Sequence, residues 1–139
     1  MCLYIRDIKK QVATEPVKVY KLLDIHDMPP YYPTDAYHVG INKPETQAYA
    51  ANKNWVGAGY LHAYTDKGHA MSAAKNIWWG AAYESDVVQY KIVEMYIPEG
   101  TAYYWNQDMG ETAAEALEWK PDSPVEIGEV QYVKEDLPF

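Results

Sequence analysis

The chain has 139 residues, enough for one domain with a core of its own and too few for two. Its formal charge is −8 and Arg6 is its only arginine, which excludes a nucleic-acid binder that works through clustered basic residues. Cys2 is the only cysteine, so neither an internal disulfide nor a thiolate zinc site can form, and no apolar run reaches the length of a membrane span.

Residues 1–15 are mixed and polar and read as an N-terminal arm. The N-terminus lacks a long apolar run, so no secretory leader is expected and the reading is a cytoplasmic protein. Val17–Ile25 alternates as a strand, with Val17, Val19 and Lys21 on one face and Lys18, Tyr20 and Leu22 on the other. His26–Asp35 carries Pro29, Pro30 and Pro33, which lack an N–H and fix their backbone angle; it reads as a rigid loop presenting Tyr31 and Tyr32. Ala36–Ile41 reads as a second short strand, and 42–54 as irregular, with one helical turn at 45–51.

The segment 57–83 carries most of the signal. Gly57-Ala58-Gly59 suits a turn into a strand at Tyr60–Tyr64, with Tyr60, His62 and Tyr64 on one face. Either Thr65 or Asp66 can cap a helix, and Ala70, Met71, Ala74, Ile77, Trp78 and Ala81 recur at helical spacing. A helix over 66–83 follows, with its electropositive start beside the Tyr-His-Tyr face, where an anion would fit. His69 reads as a surface residue.

Val87–Pro98 is the clearest strand, rich in β-branched and aromatic residues. Glu94 falls on its more apolar face; a carboxyl buried there has a raised pKa unless a partner compensates. Pro98–Thr101 is a tight turn, Ala102–Trp105 a strand, and 111–119 either a short helix or a bend into a strand at 116–119. Val125–Val133 is a strand with a bulge at Gly128, and 134–139 is an acidic tail. The expected fold is therefore α+β, a single domain with a twisted, mostly antiparallel sheet of about six strands and one main helix packed on it.

The histidines do not lie at metal-ligand spacing, and neither a nucleophile elbow nor a phosphate loop is present. Glu94 and Glu111 remain as a candidate carboxylate pair. The chain has 14 tyrosines and 5 tryptophans against 1 phenylalanine. That bias fits a binding surface or a homo-oligomer interface.

Five segments together resemble a family of small phage and mobile-element proteins without an assigned activity. They are Val19-Tyr20-Lys21, Tyr37–Gly40, Gly59-Tyr60-Leu61-His62, the Ile97–Thr101 turn and Gly110–Ala116. A more distant similarity is to the ADP-ribosyltransferase fold, in which Tyr20 or His62, Tyr64, and Glu94 or Glu111 would stand in the family's roles. The residue expected to hold the nicotinamide ribose is absent, because Val-Tyr-Lys replaces the first motif.

These readings lead to a non-catalytic binding protein of counter-defence type. Its ligand would be a nucleotide-like small molecule or a host protein. The ligand residues are Tyr20, Tyr31, Tyr32, Tyr60, His62, Tyr64 and Asp66, and no cofactor is expected. Two alternatives stand beside it. One is a divergent transferase acting on NAD through His62, Tyr64, Glu94 and Glu111. The other is an oligomeric assembly protein.

Overall fold

The computed structural model describes residues 3–30, 36–44, 54–57, 59–76 and 87–131. Two long strands form its centre: β3 (Val17–Asp24) and β7 (Val87–Ile97), whose β-branched and aromatic residues suit a pleated, buried surface. They pair antiparallel in a continuous register from Val17↔Ile97 to Asp24↔Tyr90. Around them lie β1 (Leu3–Tyr4), β2 (Gln11–Val12), β4 (Gly40–Asn42), β5 (Trp55–Val56) and β6 (Leu61–Tyr64). Later in the chain come β8 (Ala102–Asn106), β9 (Glu111–Ala114), β10 (Leu117–Trp119) and β11 (Val125–Gln131), with α1 (Lys67–Asn76) between β6 and β7. Nine strands make one antiparallel sheet in the order β2-β8-β9-β6-β3-β7-β10-β4, with β11 also on β7; β1 and β5 pair separately.

The sheet is rolled. From β9 to β10 it passes through β6, β3 and β7, four steps that would span about 19 Å if the sheet were flat. The chain covers the same distance between Ala114 and Leu117, a stretch that reaches at most about 11 Å. The two sides of the sheet must therefore curl toward each other. The inner face carries one core of Val19, Leu23, Leu61, Val93, Met95 and Leu117, with Tyr37 and Tyr103. On the outer face, Leu22, Tyr90 and Ile92 pack against Ala70 and Ala74 of α1. A third cluster, Leu3, Ile5, Val56, Tyr60 and Ala113, lies where β1 and β5 cover β9.

The fold class differs from the sequence expectation. Strands make up 49% of the described residues and α1 is the one helix, so the fold is all-β-like, not six strands with a long helix. Three physical reasons account for the difference. Segment 111–119 has helix-forming residues, yet all of Glu111–Ala114 is buried, and its small side chains fit a strand held between β6 and β8. Strands β1, β2 and β5 are two residues long and too short for any period to register. The helix extends over Lys67–Asn76 after Asp66, and 77–83 of its expected span lie outside the described residues. The helical turn expected at 45–51 also lies outside them.

The expected strand at 36–41 shrinks to β4. The Asn42 side chain accepts from the His38 N–H at 3.0 Å and donates to the His38 carbonyl at 2.9 Å, closing residues 38–42 into a loop. The Pro98–Thr101 turn is present, with Thr101 N–H donating to Pro98 O at 3.1 Å and Gly100 at φ 85°.

Gly128 is not a bulge. The β11–β7 register runs unbroken through Gly128↔Tyr90. The glycine is needed for space, because a Cβ there would lie 2.4 Å from the buried Tyr90 ring. Gly128→Ala is expected to lower the unfolding free energy by roughly 1–3 kcal/mol through overpacking. A urea midpoint equal to wild type would show that the ring moves aside freely.

Candidate functional site

The register brings four of the expected site residues into one row. Tyr20 of β3 stands opposite Glu94 of β7 on one side and Tyr64 of β6 on the other. Tyr64 stands opposite Glu111 of β9, and Glu111 opposite Asn106 of β8. Cross-strand partners share a face, so the row Glu94–Tyr20–Tyr64–Glu111–Asn106 runs across five strands on the outer face, where α1 packs. Tyr20 and Tyr64 are half-buried against the α1 cluster.

At one end, Glu94 is half-buried and already engaged. Lys18 Nζ lies 3.5 Å from Oε1, and the Tyr96 hydroxyl donates to Oε2 at 3.2 Å. At the other end, Glu111 is 6% exposed, and its Oε2 is buried without a hydrogen-bond partner among the described residues. Burial raises its pKa from 4.5 to about 7, and interaction with the N-terminus, His69 and Lys21 only partly opposes this. Glu94 and Glu111 are three strand steps apart, about 14 Å along the sheet. Paired glycosidic carboxylates work at roughly 5 to 9.5 Å. The two do not form such a pair.

The start of α1 adjoins the Glu111 end of the row. Asp66 caps the helix: its Oδ1 accepts the His69 N–H at 2.7 Å, and its carbonyl accepts from Ala70 at 3.3 Å. Its Oδ2 takes His69 Nδ1, and these bonds from His69 hold the Asp66 carboxyl below its usual range. The His69 ring sits on Gly110, the residue before Glu111, where φ is 65° and a Cβ would come within 2.7 Å of Nε2. The Gly110 carbonyl in turn accepts from Thr65 N–H at 2.9 Å. Two carboxyls thus border a helix end where Asp66 already takes the His69 and Gly68 N–H groups, so the helix start is acidic and does not offer the anion cradle its position suggests.

The remaining expected residues lie elsewhere. Tyr60 is buried in the third cluster, edge-on to Tyr104 at 5.8 Å between ring centroids, away from Tyr20 and Tyr64. His62 follows the same alternation as Tyr64 but is held by the fold: its Nε2 donates to Gly57 O at 3.0 Å. Burial lowers its pKa from 6.5 to about 4. Tyr31 and Tyr32 lie outside the described residues.

Two contacts escaped the sequence reading. His69 is exposed, as expected of a surface histidine, and only its i, i+3 spacing from a capping aspartate hinted at the Asp66 contact. Lys21 alternates with Val19 and Leu23 into the inner core. It is 7% exposed, its Nζ donates to His62 O at 2.5 Å, and it sits 5.1 Å from the centroid of the Tyr37 ring. Its position in an otherwise apolar alternation was the available signal.

Among the described residues, no group of three or more histidine, cysteine, aspartate or glutamate side chains is placed to hold a metal ion, and no helix is long and apolar enough to cross a membrane. No family model, curated protein or solved structure matches the chain.

Proposed function

We propose that this protein is a non-catalytic binding protein of counter-defence type that holds a nucleotide-like small molecule on the outer face of the sheet. The observation that carries this reading is the Tyr20–Tyr64–Glu111 run in the register. It offers two half-buried aromatic residues for a flat ring and, one strand on, a carboxyl with an unfilled acceptor. The phage-type resemblance supports the same class.

The test is a thermal-shift screen against NAD, ADP-ribose, cyclic ADP-ribose isomers and cyclic oligonucleotides. A ligand at 100 times its Kd adds roughly 2.7 kcal/mol, on the order of 10 °C for a domain of this size. One nucleotide class is expected to raise Tm and to be recovered unchanged, and Tyr64→Ala is expected to abolish the shift. No shift with any nucleotide would turn the reading toward a host-protein partner. A shift that survives Tyr20→Ala and Tyr64→Ala would remove the site.

The NAD-dependent transferase stays as a second reading, because Tyr64 and Glu111 face each other directly across β6 and β9. Nicotinamide release from NAD, lost in Glu111→Gln, would favour it.

A further inference from the structure

The acceptor at the end of the row has a chemistry that narrows the ligand. Glu111 Oε2 is enclosed and unpartnered among the described residues. A carboxylate in such a place is stable only beside a counter-charge or a strong donor. The N-terminus, His69 and Lys21 oppose the Glu111 charge only in part, and the basic side chains on nearby elements are engaged elsewhere. Lys21 points into the opposite face and donates to His62 O. Lys18 pairs with Glu94, Lys10 with Glu115 at 2.8 Å, Lys67 with Glu126 at 3.2 Å, and Lys91 with Asp27 at 2.8 Å. His69 is turned to Asp66. The surroundings of Glu111 are therefore Tyr64, Asn106 and the acidic helix start, with two tyrosines leading away along the row.

A phosphate would meet two carboxyls here, and the basic side chains named above are already engaged. A neutral hydroxyl would fill the acceptor but leave the buried charge only partly opposed. An alkylammonium does both: it donates to Oε2 and neutralises the carboxylate, and aromatic faces are favourable ground for a cation and its methylenes. We propose that Glu111 is the recognition residue for a protonated primary amine, whose carrier lies along Tyr64 and Tyr20.

The proposal rests on the small-molecule reading above and specifies which part of the ligand Glu111 takes. Two sources supply such a group: an amine-bearing nucleoside and a linear di- or polyamine. Calorimetric titration of the full chain with 5′-amino-5′-deoxyadenosine, adenosine, AMP, 1,4-diaminobutane and spermidine separates them. At least one amine is expected to bind. Adenosine and AMP are expected to bind at least tenfold more weakly than the aminonucleoside, and Glu111→Gln is expected to weaken the amine at least tenfold. A preference for the aminonucleoside over spermidine identifies the nucleoside as the source, and the reverse identifies the polyamine.

A second readout needs no variant. Carboxyl NMR of the wild type is expected to show the Glu111 resonance shifting on amine addition and its midpoint falling below 7. AMP binding as tightly as the aminonucleoside, or an unmoved Glu111 resonance at amine saturation, would overturn the amine assignment and leave the binding-protein reading standing. Binding of none of the five, together with a silent nucleotide screen, would overturn both.

Discussion

Replacing Lys21 with methionine is expected to stabilise the protein at pH 7 by roughly 2–4 kcal/mol. The lysine sits among Val19, Leu23 and Val93 with its Nζ on a backbone carbonyl and no carboxylate in salt-bridge contact among the described residues. Burial lowers its pKa from 10.5 to about 7. At about 1.4 kcal/mol per decade, that drop is a cost of roughly 5 kcal/mol in holding the ammonium inside. Methionine fills a similar volume without the charge, but it leaves the His62 carbonyl short of a donor, which returns about 1–3 kcal/mol.

The effect has a pH signature. Between pH 7 and 10.5 the unfolded chain holds a proton on this amine that the folded chain has released. Wild-type unfolding free energy therefore rises with pH through that window. Below 7 the full cost is present, and above 10.5 it is gone. Lys21→Met is expected to flatten this rise in urea titrations at pH 7, 8.5 and 10. A variant less stable than wild type at pH 7 would mean that the hydrogen bond to His62 outweighs the buried charge.

The second large effect is a cancellation that Glu111→Gln is expected to expose. Folded Glu111 titrates near 7 against 4.5 unfolded, so between these values the folded chain holds a proton that the unfolded chain has lost. Stability from this group is complete below 4.5 and declines as pH rises to 7. His62 does the opposite. It titrates near 4 folded against 6.5 unfolded, so its contribution grows as pH rises from 4 to 6.5. Each is worth roughly 3 kcal/mol across its range. Together they leave the wild type almost insensitive to these two groups in weak acid. In Glu111→Gln the histidine acts alone, and stability is expected to climb by roughly 3 kcal/mol from pH 4 to 6.5 relative to wild type. Guanidinium midpoints for both proteins at pH 4, 5.2 and 6.5 measure it. A constant difference between them would show that Glu111 titrates normally.

Alternation along each strand was legible, and registry between strands was not. The sequence places Tyr20 opposite in facing to Val19 and Lys21, groups Tyr64 with His62, and assigns Glu94 to one side of its strand; each assignment matches the observed register. That Tyr20, Tyr64, Glu94 and Glu111 form one row depends on pairings between strands far apart in the chain, which no local period encodes. The helix start was readable because Asp66 is a strong cap. Strand β9 was hidden because Thr112, Ala113 and Ala114 have no strong local preference and follow the space between β6 and β8. The face shared by Tyr60, His62 and Tyr64 did not become a shared pocket, because Gly57 holds His62 and the β1–β5 pair covers Tyr60.

The β3–β7 pairing also determines when the molecule can begin to exist. Its two partners come from opposite halves of the chain, so joining them closes a long loop at an entropic cost of about 4 kcal/mol before any core is gained. Strand β6 meets β3 at a single residue pair and otherwise depends on β9, which is later still. During synthesis, β3 and β6 emerge from the ribosome with little to pair with until residues past 87 follow. Folding is therefore a late, concerted event on the millisecond-to-second scale typical of non-local sheets. Until then the apolar side chains of β3 stand exposed, and that interval is when this chain most needs protection from aggregation.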